Sequence, residues 1–97
     1  MAAKELDEKK LRQELIQLYE KFLENPKDRE NLSKMDGIEQ DYSGACNFIK
    51  SKVINQAINL AGDIEEKEVS GSNIYLDRNN KSSLEEARKI LDALKSE

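Results

Sequence analysis

The sequence predicts an all-α fold, a small bundle of three long helices plus one short helix, with an extended loop segment before the last helix. Apolar residues recur at helical spacing in three separate stretches, which predicts three amphipathic helices. The single proline and the four glycines help to divide the chain into these segments. With 97 residues the chain can bury one hydrophobic core, so residues 1–97 are expected to form a single helical domain.

The first long helix is predicted over residues 3–24. Large apolar residues recur there at positions i, i+4, i+7, i+8 and i+11, which is the spacing of one helix face. They are Leu11, Leu15, Leu18, Tyr19 and Phe22, and Ile16 and Leu23 fall in the same arc of about 160°. The pair Glu8 and Arg12, four residues apart with the acid first, adds support on the polar side.

A break and a restart follow this helix. Asn25 can cap a new helix, Pro26 suits its first position, and Asp28 suits the positive charge of a helix start. The second helix is predicted to be short, over residues 26–35, because the dipeptide at 36–37 is Asp-Gly, which is typical of a turn.

The third segment, residues 42–64, is predicted to be the central helix. Its apolar residues cover an arc of about 220° on a helical wheel, and it carries few charges. Because Gly44 is a poor residue for a helix interior, Ser43 or Asp41 is expected to cap its start. An arc this wide predicts a helix that touches more than one neighbour.

Residues 65–81 are the least helical part of the sequence. The residues at 69–73 are predicted to form a loop by composition. Ile74 and Leu76 flank a tyrosine in a short run of strand-like residues, and we expect this run to lie extended over the helices with both residues buried, or to pair in a minor hairpin. An alternative α+β interpretation makes this run a strand.

The last helix is predicted over residues 82–95. Ser82 and Glu85 have the spacing of a capping box. A narrow apolar stripe follows, which suits a helix packed on the outside of the bundle. The stripe consists of Leu84, Ala87, Ile90, Leu91 and Leu94.

The composition argues against common catalytic chemistry. Histidine is absent, which removes the most frequent general base and metal ligand at neutral pH. The one cysteine, Cys46, has no partner for a disulfide or a Cys–His pair, and its position on the apolar arc predicts a buried, unreactive thiol rather than a redox sensor. We therefore expect no catalytic residues, no cofactor and no enzyme activity.

Metal binding is not predicted either. Residues 77–81 begin like a calcium-binding loop, with Asp77 and Asn79 at the first and third positions. Lys81, Ser82 and Arg88 occupy the fifth, sixth and twelfth positions, where the loop requires Asp or Asn, Gly and an acid. A turn leading into the last helix is the better interpretation.

The net charge and the hydropathy of the sequence bear on which classes of partner the protein binds and on where in the cell it is expected. A net charge of −4 without a basic face opposes binding to nucleic acid and to anionic membranes. No stretch approaches the roughly 18–20 apolar residues of a membrane span. The charged N-terminal residues do not resemble a secretory signal, and a lone cysteine fits a reducing compartment, so the expected location is cytoplasmic.

Two groups of residues are candidates for partner binding. Phe48 falls on the polar side of the predicted third helix, between Asn55 and Asn59, where a core phenylalanine is not expected. Either the second helix or the 65–81 segment covers it, or it is an exposed aromatic anchor flanked by amides. The second group is acidic and follows at the end of that helix, where it is either solvated or contacts a basic partner. It consists of Asp63, Glu65, Glu66 and Glu68.

These features predict a non-catalytic protein–protein interaction module, a small regulator or adaptor. Two alternatives stay open. One is an immunity-type protein that neutralises a basic toxin or bacteriocin through the acidic group, which is an analogy at the level of fold. The other is a homo-oligomeric helical assembly unit, because an apolar arc of about 220° is wide for one small chain to cover.

Overall fold

The computed structural model describes residues 7–42, 44, 48–69, 71–76 and 82–96, and it confirms the all-α class. Four helices and one minor two-stranded hairpin make up the described part of the chain. In chain order they are α1 (Glu8–Glu24), α2 (Arg29–Tyr42), α3 (Lys52–Asp63), β1 (Glu65–Val69), β2 (Ser72–Leu76) and α4 (Ser83–Ser96). The helices contain 17, 14, 12 and 14 residues, so the predicted contrast between long and short helices is not observed.

Helix α1 follows the predicted pattern closely. The five residues at the predicted spacing are all buried, Ile16 and Leu23 are partly buried against the core, and the helix ends at Glu24 as expected. Asp7 caps its start, since the Asp7 carboxylate accepts hydrogen bonds from the backbone N–H groups of Lys9 (3.1 Å) and Lys10 (3.2 Å). Residues 1–6, where the sequence placed the beginning of this helix, lie outside the described residues.

The restart after α1 differs from the prediction in its details. Asn25 ends α1, because its N–H donates to the Lys21 carbonyl at 2.8 Å, and it does not cap α2. The cap is Asp28, whose carboxylate accepts from the backbone N–H groups of Glu30 (3.1 Å) and Asn31 (3.2 Å). A carboxylate at this position satisfies two N–H groups that the first helical turn leaves without partners.

Helix α2 is longer than predicted because tertiary burial outweighs a local turn signal. The predicted end near residue 35 is wrong: α2 continues through Gly37 to Tyr42. Its buried residues are spaced i, i+4, i+7 and i+11, and they are Asn31, Met35, Ile38 and Tyr42. A glycine inside a helix costs only about 1 kcal/mol, whereas burying one isoleucine returns roughly 1.5–3 kcal/mol.

Helix α3 begins at Lys52, ten residues later than the predicted start at residue 42. The cap is Ser51, whose hydroxyl accepts from the Ile54 N–H at 3.2 Å, and not the expected Ser43 or Asp41. Five apolar residues of the shorter helix are buried within this one chain, and Val53 is partly buried. The five buried residues are Ile54, Ala57, Ile58, Leu60 and Ala61.

The minor hairpin is the form that the 65–81 segment takes where it is described. Strands β1 and β2 are antiparallel, with Glu65 opposite Leu76 and Val69 opposite Ser72, so the predicted loop at 69–73 is confined to the turn between them. Gly71 in that turn has φ = 81°, a backbone conformation that glycine adopts without a steric penalty.

The face of β2 that meets the helices is the opposite of the predicted one. Tyr75 is buried and its ring packs edge-on against Phe22, with ring centroids 5.8 Å apart and planes at 89°. Ile74 was expected to be buried and is 37% exposed. Because successive strand residues point to opposite faces, burying Tyr75 turns Ile74 outward. The side chain of Leu76 is not among those described.

Helix α4 closes the core. It begins at Ser83, and the first helical hydrogen bond runs from the Glu86 N–H to the Ser82 carbonyl at 3.3 Å, which puts Ser82 at the predicted capping position. Its apolar stripe packs mainly on α1, while α2 packs mainly on α3. Tyr19 links α1 to α3 at the centre, where its hydroxyl donates to the Ala57 carbonyl.

Candidate functional site

Phe48 is the most exposed large apolar side chain in the described part of the chain, with 73% of its surface accessible. Neither α2 nor the hairpin covers it, which excludes the buried interpretation. It lies in a short helical turn before α3 and not on α3 itself, so its predicted position on a helical wheel is wrong. The aromatic ring is therefore presented from the connection into α3 and not from the helix face.

The chain after Phe48 is held in place by several contacts. Ile49 is buried, and its carbonyl accepts a hydrogen bond from the Asn55 side-chain amide at 3.3 Å. The Glu8 carboxylate accepts from the backbone N–H groups of Lys50 (3.3 Å) and Ser51 (3.1 Å). These contacts tie the segment to α1 and α3, so the exposure of Phe48 belongs to a braced surface.

The solvent-facing side of α3 continues from this segment. Lys52, Gln56 and Asn59 are exposed and spaced i, i+4 and i+7, which places them along one face. Together with Phe48 and Lys50 they form a region that we call the α3 surface. Among the candidates from the sequence, Asn59 lies on this face and Phe48 at its beginning.

Asn55 has a structural role that the sequence did not suggest. It is partly buried, and its amide N–H donates to the Ile49 carbonyl, so its donor is used within the chain. Its side-chain oxygen is buried and has no hydrogen-bond partner among the described residues. Asn55 therefore supports the segment that carries Phe48, and its contribution to the α3 surface is indirect.

The acidic candidates lie at the opposite end of α3. Asp63 ends the helix, four residues after Asn59, and is partly buried. Burial raises the pKa of the Tyr19 hydroxyl above its ordinary range, and the negative charge of Asp63 raises it further. Glu65, Glu66 and Glu68 are in β1, and their side chains lie outside those described.

Lysine residues are the part of the α3 surface that the sequence analysis did not select. Lys50 and Lys52 are both exposed on either side of the capping residue of α3. A signal was present in the sequence: no aspartate or glutamate occurs between Asp41 and Asp63, although the chain contains 20 acidic residues. Lys50 and Lys52 are the charged residues of that interval.

The described residues contain neither a cluster of metal ligands nor a membrane-spanning helix. Within the described ranges, no group of three or more His, Cys, Asp or Glu side chains is placed to hold a metal ion. None of the helices among those residues is long and apolar enough to cross a membrane. Cys46 and residues 77–81, which the sequence analysis considered for thiol and calcium chemistry, lie outside the described residues.

Comparison with protein-family models, with curated protein sequences and with solved structures found no match to this chain. What the α3 surface can bind is therefore inferred from the chemistry of its own residues. These residues are an exposed aromatic ring, two lysines and two side-chain amides.

Proposed function

We propose that this chain is a non-catalytic protein–protein interaction module, a small regulator or adaptor, that binds another protein through the α3 surface. The observation that carries the proposal is the 73% exposure of Phe48 directly before buried Ile49 and a hydrogen-bonded stretch of chain. A phenylalanine left in water by a braced segment gives up the roughly 1.5–3 kcal/mol that burial of its side chain provides. A partner that covers the ring recovers this free energy.

The rest of the α3 surface suits the centre of an interface. Interface centres are enriched in aromatic residues and depleted of charged residues, because unpaired charges are costly to remove from water. Gln56 and Asn59 are uncharged and exposed, and they can exchange hydrogen bonds with water for hydrogen bonds with a partner. The exposed lysines follow Phe48 by two and four residues, at the beginning of the face, where they can supply the rim charges of an interface.

Affinity capture from the native lysate tests the proposal, with bound proteins identified by mass spectrometry. The baits are wild type, Phe48→Asp, and Ile74→Asp as the matched control, since Ile74 is the other exposed large apolar residue among those described. We expect a partner that wild type and Ile74→Asp retain and that Phe48→Asp loses. Circular dichroism and urea unfolding of the three proteins show whether each variant is folded.

Two outcomes would count against the proposal. If folded Phe48→Asp retains every protein that wild type captures, the interface does not include Phe48. If Phe48→Asp lowers the free energy of unfolding by several kcal/mol, the Phe48 ring stabilises the fold, and its exposure is no argument for a binding surface. A third outcome would favour the immunity-type role, in which the chain neutralises a basic toxin. In that outcome a basic partner is lost when the charge of Asp63 is reversed but is still captured by Phe48→Asp.

Self-association is separated from binding to another protein by sedimentation at micromolar concentration. The five apolar residues of α3 named above are buried within one chain, so the wide predicted arc does not by itself call for a dimer. We therefore expect a monomer. A dimer that dissociates in Phe48→Asp would identify a second copy of the chain as the partner.

The cytoplasm is the proposed location, because a single cysteine gives no internal disulfide.

A further inference from the structure

We infer that the partner of the α3 surface is an acidic protein surface, with apolar side chains that accept Phe48 and carboxylates around them that face Lys50 and Lys52. This inference rests on the proposed function and adds the chemistry of the partner. It opposes the expectation from the net charge of −4, which by itself would favour a basic partner. Between Asp41 and Asp63 the chain carries two lysines and no acid, so this interval has the opposite sign to the net charge.

The distribution of acidic residues is the first support. All 20 acids of the chain lie outside the interval between Asp41 and Asp63, and Phe48 lies inside it with two exposed lysines close by. The Glu8 carboxylate also approaches this segment, and both of its oxygens accept backbone N–H groups, so its negative charge faces the backbone. The exposed side chains on either side of Ser51 are lysines, and carboxylates around the pocket of a partner are attracted to them at close range.

The orientation of charge along α3 is the second support. Helices are stabilised by acids in their first turn and by bases in their last turn. Helix α1 follows this rule with Glu8 and Lys21, whereas α3 has Lys52 in its first turn and ends at Asp63. Lys52 therefore opposes the dipole of its own helix. An acidic partner at this end would interact favourably with both the lysines and the positive end of the helix dipole.

A protein fits these observations better than a membrane or a nucleic acid. Binding to anionic lipid typically requires a cluster of about 4–8 basic residues, whereas two lysines adjoin Phe48. Gln56 and Asn59 extend the face with hydrogen-bonding groups that a lipid acyl region cannot satisfy. One aromatic ring is also a small platform for base stacking.

Selection of a random-peptide phage library on the immobilised protein tests the inference and does not require an identified partner. Phage are bound to wild type after depletion on Phe48→Asp, and the enriched peptides are sequenced. We expect enrichment of Asp and Glu next to apolar residues, relative to the unselected library. Peptides that depend on Phe48 but show no acid enrichment, or are basic, would overturn the acidic partner and leave the proposed function standing.

The affinity of a selected peptide for charge variants provides the second measurement. Lys50→Glu/Lys52→Glu is expected to weaken binding about tenfold or more, because it sets like charges against each other. The matched control is Lys21→Glu/Lys27→Glu, which makes the same change in net charge at exposed lysines near the end of α1. It is expected to change the affinity less than about twofold. If both double variants lose the same affinity for the peptide, the net charge of the protein and not the position of the lysines explains the loss, which would overturn the inference.

Two further results have defined meanings. If no peptide is enriched on wild type over Phe48→Asp, the inferred acidic partner is overturned, while the proposed function is decided separately by the affinity capture described above. If vesicles of phosphatidylserine and phosphatidylcholine bind wild type but not Phe48→Asp, the anionic surface is a lipid bilayer, which overturns the acidic protein partner.

Discussion

Replacement of Gly62 by alanine probes a close approach between α2 and α3. A Cβ atom added at Gly62 would lie 2.4 Å from Cγ, 2.8 Å from Cβ and 3.0 Å from Cδ of Glu39. The Cγ and Cδ atoms can move by side-chain rotation, but the Glu39 Cβ is fixed to the backbone of α2. Restoring an ordinary contact of 3.4 Å at that atom requires the two helices to separate locally by 3.4 − 2.8 = 0.6 Å.

Gly37 provides the matched control for this substitution. It also lies in a helix, and a Cβ added there would meet nothing within 4 Å. Alanine in place of glycine improves helix propensity by about 1 kcal/mol, so Gly37→Ala is expected to stabilise the domain by about 0.5–1 kcal/mol. Overpacking costs about 1–3 kcal/mol, and we therefore expect Gly62→Ala to be less stable than Gly37→Ala by about that amount.

Urea unfolding followed by circular dichroism at 222 nm measures both variants. The double variant Glu39→Ala/Gly62→Ala is expected to recover part of the loss, since it removes Cγ and Cδ of Glu39 but keeps Cβ. Equal changes in the free energy of unfolding for Gly62→Ala and Gly37→Ala would refute the close packing of α2 on α3 at this point.

Three further predictions concern buried or bridging polar groups. The pKa of Tyr19 is raised in the fold, so its hydroxyl stays protonated there, whereas the same group in the unfolded chain ionises near pH 10.0. The free energy of unfolding should therefore be unaffected by this group below pH 10 and should fall above it. Ionisation of Tyr19 before unfolding, seen as a tyrosinate absorbance change at 295 nm, would contradict this. Asn31 is buried, its side-chain N–H donates to the Leu18 carbonyl at 3.0 Å, and its side-chain oxygen finds no donor among the described residues, so leucine loses one hydrogen bond but removes one unpaired polar atom. Asn31→Leu should therefore change the unfolding free energy by less than about 1 kcal/mol, whereas Asn31→Asp should cost about 3 kcal/mol, and the reverse order would refute the assignment. Glu8→Gln replaces one of the two acceptor oxygens with an NH2 donor, so it should lose one of the bonds to Lys50 and Ser51 and cost about 1 kcal/mol. Hydrogen exchange should be faster at these amides, with no change expected in the middle of α4.

Part of the candidate site could be predicted from sequence. Phe48 was singled out because a large aromatic residue stood among amides, and its exposure is observed. Its placement on the third helix was wrong, since helical phase says nothing about where a helix begins. The acid-free interval that contains Lys50 and Lys52 was present in the sequence, but its meaning depends on which of its residues reach the surface.

The sequence by itself determined the helical class, the buried face of α1 and the position of α4. In each case the apolar period is unbroken and a capping residue or chain break stands at an end, so local preference and burial agree. These elements would form the same amphipathic faces against any apolar partner surface.

Only the tertiary structure decided the length of α2, the start of α3 and the face of the hairpin. At Gly37 the burial of Ile38 and Tyr42 against neighbouring elements outweighs a local turn preference. At residues 65–76 the packing of Tyr75 on Phe22 selects which side of a short strand is buried. These choices depend on contacts between residues far apart in sequence, and local periodicity carries no information about such contacts.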